Sequence, residues 1–236
     1  MYVSCIVDPN LHIDVETCQV KQPIVVRVNE FDEKSAQIFA RQVSIAEDMG
    51  QPIIPVVIDS YGGDVYSLLA MVDVIKSCKA IVATIVEGKA MSCAAVLFSC
   101  GTEGYRFVSE HATVMIHDTW QEDDRPRKAE DLKVDAAELG RINKLFYEIL
   151  AGSTGHDPQY FIDMLSKHNR ADVYFSAQEA VKHNIANHIG IPDLTLEVAV
   201  SYKISLTDAP EQVPLAALVS DLPKKSVRKK KEAAPR

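Results

Sequence analysis

Nowhere in these 236 residues do eighteen apolar residues run uninterrupted, and the opening MYVSCIVDPN lacks both the basic start and the long apolar stretch of a secretory signal. We therefore expect a protein that neither spans a membrane nor is exported. Cysteine is sparse and odd in number. Cys5, Cys18, Cys78, Cys93 and Cys100 include no C-x-x-C spacing, which excludes a disulfide framework and a zinc knuckle and points to the cytoplasm or an equivalent reducing compartment. Basic charge is short as well: a formal net charge of −8 leaves no surplus to neutralise phosphates, so no nucleic-acid partner is expected of the body. Internal repeats are lacking too.

What is there is an ordinary globular composition, 47% hydrophobic and 25% charged, long enough to bury a core. We read an N-terminal segment over 1–22, a body over 23–205, and a C-terminal tail over 206–236 that contains prolines and a basic run. From Glu211 onward seven basic residues face three acidic ones, a surplus of four that leaves residues 1–210 at −12. Such a tail reads as solvated and flexible, with contact to an acidic partner or to nucleic acid as the other readings.

Within the body, strand and helix patterns alternate. PIVVRV (Pro23–Val28) reads as a strand, Asp32 as an N-cap, and Glu33–Asp48 as a helix. IIPVVI (Ile53–Ile58) is a second strand whose Pro55 suggests an edge or a bulge. The turn-forming DSYGGD follows, then a helix with Val65, Leu68, Leu69, Val72 and Ile75 on one stripe, and the strand Ala80–Val86. A short apolar helix should end near Cys100, with strands at Tyr105–Val108 and Thr113–Ile116. The long pattern Lys128–Leu150 keeps Leu132, Ala136, Leu139, Ile142, Phe146 and Ile149 in helical period and should stop at Gly152. Helix Pro158–Leu165, strand Val173–Phe175 and helix Ala177–His183 complete an α/β fold with a largely parallel sheet.

A hydrolytic serine needs a base within reach, a group that fixes the tautomer of the base, and N–H donors where the oxyanion forms. Ser92, in EGKAMSCAAV, sits between a strand and an apolar helix among small residues that admit a substrate backbone. Its turn would expose the hydroxyl beside unpaired helix-start amides. His117 ends the apolar run ATVMIH, and Asp172 precedes a short strand. Taken alone, each has a plainer reading: Ser92 as an N-cap, His117 as a structural histidine bonded to backbone, Asp172 as a turn or capping residue, and Gly62 and Gly63 as a tight turn.

Together the segments EGKAMSCAAVLFSCG, VMIHD, DSYGGDV and DVYFSAQEAVKHNIAN resemble the nucleophile, histidine, glycine-turn and aspartate motifs of the Clp protease proteolytic subunit (ClpP) family. Those motifs read G-x-A-A-S-M-G-A, M-I-H-Q-P, N-S-P-G-G and S-A-x-E-A. The thirty positions from Gly62 to Ser92 and the twenty-five from Ser92 to His117 agree with the family pattern. The resemblance runs from about Pro23 to Gly190. It implies a crotonase-like fold of stacked ββα units with a projecting handle helix near Lys128–Leu150, and serine-type endopeptidase activity. Ser92 would be nucleophile, His117 general base and Asp172 the orienting acid, with the backbone N–H groups of Gly63 and Cys93 as oxyanion hole and Gly62, Tyr61 and Ala94 along the substrate groove.

The same resemblance implies no cofactor and no metal, and a homo- or hetero-oligomer of two stacked seven-membered rings. An AAA+ Clp unfoldase would use the ATP and feed polypeptide substrates. The other readings are a catalytically silent ring subunit and a crotonase-fold acyl-CoA enzyme. Rival chemistry within the motif would use the Cys93 thiol as nucleophile, or Lys89 as base in a Ser-Lys dyad. Three departures stand out: Tyr61 replaces proline, Cys93-Ala94 replaces Met-Gly, and Asp118-Thr119 replaces Gln-Pro. Asp118 beside the base would raise the pKa of His117 if its carboxylate approached the ring, and activity would then need a higher pH.

Overall fold

A computed structural model describes residues 23–120 and 128–193, and the expected N-terminal segment and C-terminal tail lie outside the described residues. The chain's first compact unit closes at Asp193. Seven strands are described: β1 (Val26–Val28), β2 (Ile53–Ser60), β3 (Ile81–Met91), β4 (Arg106–Val108), β5 (Thr113–Ile116), β6 (Val173–Phe175) and β7 (His188–Ile189). The helices are α1 (Glu33–Asp48), α2 (Val65–Ser77), α3 (Cys93–Ser99), α4 (Ala129–Thr154), α5 (Pro158–Lys167) and α6 (Ala177–Lys182).

The sheet runs β1-β2-β3-β4-β7, and β3 forks. Its first half pairs with β4 through Thr84–Val86, its second half with β5 through Lys89–Met91, both in parallel, and β5 then takes β6 as an antiparallel neighbour. The fork gives β3 two sets of partners and swings β5 and β6 off the main sheet. α3 packs against β3, β2 and β5, with every residue from Cys93 to Ser99 buried. This is the α/β arrangement expected of the ClpP type.

Asp32 caps α1 in a capping box with Ser35, whose N–H donates to Asp32 Oδ1 at 2.6 Å, so the helix starts where the sequence pattern put it. Two expectations are corrected. Pro55 is not on an edge, because β2 lies between β1 and β3. The Pro52 carbonyl accepts from Ile81 of β3, so by alternation Pro55 faces β1, one residue before that ladder opens at Val26 opposite Val56, and its missing N–H costs no bond there. The irregularity in β2 falls instead between Ile58 and Ser60. The long helix also passes through Gly152 and ends at Gly155, in the left-handed conformation at φ 71° with its N–H on the Ala151 carbonyl. Burial of Leu150, Ala151 and Thr154 carries the helix across the glycine, which costs only about 1 kcal/mol relative to alanine.

β7 has no counterpart among the predicted elements. It is held by the buried Arg106, whose Nε donates to Asn187 Oδ1 at 3.1 Å and whose Nη1 donates to the carbonyls of both Ser99 and Ser153, joining the ends of α3 and α4 to the last strand.

Candidate active site

The site is assembled by strand register. Met91, the last residue of β3, lies opposite Met115 of β5, and the N–H of Ser92 donates to the Met115 carbonyl at 2.9 Å. Ile116 of β5 lies opposite Val173 of the antiparallel β6. Ser92 follows β3, His117 follows β5 and Asp172 precedes β6, so the three residues leave the ends of three adjacent strands. Polar residues spread over eighty positions of chain are thereby delivered to one edge.

Ser92 sits on a strained turn. Its φ of 55° and ψ of −122° are outside the usual regions for an L-residue and cost roughly 1–2 kcal/mol. The strand can turn into α3 this sharply because Gly62 packs against it: a Cβ there would come within 2.8 Å of Ser92 Cβ and 3.2 Å of the Cys93 nitrogen. Gly62 at φ 104° and Gly63 at φ 150° both occupy conformations that side chains disfavour, and a Cβ on Gly63 would meet the Phe31 carbonyl oxygen at 2.5 Å. The pair of glycines is required by both backbone angle and space.

Among the described residues, the plainer capping readings of Ser92 and Asp172 do not hold. Ser92 occupies the N-cap position of α3, yet its side chain makes no capping bond. α6 is capped by Ser176, and Asp172, exposed, has only a long 3.4 Å contact from the Tyr174 hydroxyl. His117 is half-buried at the end of β5. Among the described residues no hydrogen bond joins Ser92 to His117 or His117 to Asp172; the backbone brings the three together and their side chains are not linked.

The amides around the glycine turn are partly committed. Gly62 N–H donates to Ser60 Oγ at 3.1 Å and Asp64 N–H to the Phe31 carbonyl at 2.8 Å, which leaves the intervening Gly63 amide between them. The first intrahelical bond of α3 is from Ala95 N–H to the Ser92 carbonyl at 3.0 Å, so the Cys93 amide precedes the helix's own ladder. These are the two donors expected to form the oxyanion hole.

Both rival schemes, a Cys93 nucleophile and a Lys89 base, meet obstacles. Cys93 is buried at 1% exposure, its Sγ lies 3.2 Å from the Gly63 carbonyl, and burial pushes the thiol up to about 11. Lys89 is held by Asp59 at 2.8 Å, with its Nζ 4.4 Å from the Tyr61 ring centroid, and the Asp59 contact raises its pKa, the wrong direction for a base. Tyr61 itself is 74% exposed and free to line a groove. Ala94 is not: at 0% exposure it is enclosed within α3 and offers a substrate no surface, so the groove role expected of it is corrected.

The Asp118 carboxylate has partners other than the imidazole: both of its oxygens are engaged by Arg170, and one of them also by Tyr147. Arg170 and Tyr147 were not legible as site residues, since nothing in the local pattern of either announces a partner so distant along the chain.

Comparison with known proteins agrees with this geometry. The Clp protease family model matches residues 10–192. The chain is 33% identical over 161 residues to the ATP-dependent Clp protease proteolytic subunit 3 of Nocardia farcinica, covering 68% of this chain and 71% of that one. It is 32% identical over 177 residues to the ATP-dependent Clp protease proteolytic subunit 2 of Streptomyces avermitilis, covering 75% and 86%. With a family match over most of its length and its motifs gathered at one sheet edge, the chain belongs to the Clp protease family.

Proposed function

We propose that the protein is a serine endopeptidase subunit of a self-compartmentalising Clp-type protease. His117 takes the proton of Ser92, the alkoxide attacks the peptide carbonyl, and the Gly63 and Cys93 amides receive the oxyanion. Asp172 fixes the imidazole tautomer, and His117 returns the proton to the leaving amine. Water, activated by the same base, then releases the acyl group. No step requires a cofactor or a metal from this chain.

The observation that carries the reading is the register of β3, β5 and β6, which leads three polar residues to one edge, where the Ser92 side chain makes no capping bond among the described residues. Hydrogen bonds between them would form when neighbouring copies seat α4, in the two stacked seven-membered rings the family resemblance implies. An AAA+ unfoldase would thread unfolded polypeptides into the chamber, and short peptides would enter unaided.

A catalytically silent ring subunit is the second reading, favoured by the unlinked side chains. One experiment separates the two. The purified full chain is treated with a fluorophosphonate probe, and hydrolysis of a fluorogenic peptide is followed in parallel. A peptidase is labelled at Ser92, and Ser92→Ala loses labelling and several powers of ten in turnover while keeping its assembly. An unlabelled but fully assembled wild-type particle would identify the silent subunit.

A further inference from the structure

Asp118 and Thr119 directly follow His117 and stand where the resemblance expects Gln-Pro. Both are fastened to α4. Asp118 Oδ1 accepts from the Tyr147 hydroxyl at 2.6 Å, and the Asn143 Oδ1 accepts from both the N–H and the hydroxyl of Thr119 at 2.7 Å. Asn143 and Tyr147 are four apart, so a single face of α4 grips two successive residues at the exit of β5.

The same carboxylate also reaches the loop that leads to Asp172 and β6. Arg170 meets Asp118 in a two-pronged pair, Nε to Oδ2 at 2.5 Å and Nη2 to Oδ1 at 2.7 Å, the geometry in which guanidinium and carboxylate bind most strongly. Asn169 and Arg170 are consecutive non-glycine residues at φ 54° and 57°, a conformation that persists only when surroundings hold it. Here the Arg170 N–H on the Leu165 carbonyl at 2.7 Å and its side chain on Asp118 do so.

We propose that Asp118 is a positioning residue: clamped by Tyr147 and Arg170, it ties the His117 strand end to α4 and to the loop entering Asp172, so that the seating of the helix sets the distance between base and orienting acid. This rests on the serine-peptidase reading above. The clamp touches no substrate. It acts on the two residues it adjoins, His117 by one peptide bond and Asp172 by two.

The test uses the full chain, with assembly read by sizing column, the rate of Ser92 labelling by a fluorophosphonate, and peptide kcat and KM measured separately. Asp118→Asn should lower kcat and the labelling rate together by roughly 10–100-fold with KM nearly unchanged, the signature of misplaced reacting groups in an intact groove. Arg170→Lys, which keeps the charge and loses the fork, should fall between wild type and Arg170→Gln. The double variant Asp118→Asn/Arg170→Gln should be no worse than the poorer single, because the residues act as one unit. Unchanged kcat in an assembled Asp118→Asn particle, or losses that simply multiply in the double variant, would overturn the proposal. Should Asp118→Asn fail to assemble, Tyr147→Phe removes a single hydroxyl, and an assembled variant with wild-type kcat overturns it equally. A wild type that is never labelled would sink the serine-peptidase reading and this inference with it, whereas a labelled wild type with unaffected variants sinks this inference alone.

Discussion

The two halves of α4 present different surfaces, the first exposed and the second buried. From Ala129 to Arg141 no residue is buried; Leu132 and Val134 are more than half exposed, and the polar face is laced by Lys133–Glu130 and Arg141–Glu138 pairs. From Ile142 onward the helix sinks into the subunit, burying Ile142, Phe146, Tyr147, Ile149, Leu150, Ala151 and Thr154. The apolar stripe predicted over the whole helix is thus two surfaces. The second half completes the subunit's own core and grips the end of β5, while the first keeps its apolar residues in water, an arrangement that pays off only when another surface covers them.

The sharpest way to break that comparison is a charge in each half. Phe146→Asp places a carboxylate in the core and leaves a cavity, a loss of roughly 3–5 kcal/mol or more against a total stability of about 5–15 kcal/mol. We expect little folded protein of any oligomeric size, as judged by circular dichroism and a denaturant titration. Leu132→Asp/Val134→Asp should do the opposite: a subunit of wild-type helicity and denaturant midpoint, but a smaller particle on a sizing column and peptidase activity reduced by roughly tenfold or more through lost assembly. A double variant that keeps both size and activity would show that the exposed half contacts no other copy.

How much of this was legible in the sequence depends on how local each determinant is. α1, β5 and β6 keep the limits their patterns gave, because a capping box or a short β-branched run carries its own boundary. The end of α4 was misplaced at Gly152, because a glycine's local cost is outweighed by packing that a one-dimensional pattern does not weigh. β7 went unseen for a related reason: two exposed residues show no period, and their strand is dictated by Asn187 and Arg106, eighty-one positions apart. At the site, motif spacing indicated Ser92, His117, Asp172 and the glycine turn. It did not indicate the fork in β3 that brings them to one edge, nor the Asp118–Arg170 pair across fifty-two positions.

The smallest expected effect lies away from α4's exposed half, where α5 meets α6. The Tyr160 hydroxyl and His183 Nδ1 are hydrogen-bonded at 2.5 Å, His156 stacks on Tyr160 with centroids 4.0 Å apart, and the His156 ring bonds the His183 carbonyl at 3.0 Å. Nδ1 can accept only while the imidazole is neutral. Burial first, then Lys182 and His156, hold the pKa of His183 below 6.5, with Glu179 opposing them. Because the folded value lies below the unfolded one, this contribution to stability is complete above pH 6.5 and is lost as the pH falls toward the folded value. The urea midpoint of the wild type should therefore drop between neutral pH and about pH 5, and His183→Gln, which cannot titrate, should start lower and show a flatter slope over the same interval. Identical slopes in the two proteins would mean that other groups carry the acid sensitivity and that this contact is indifferent to protonation.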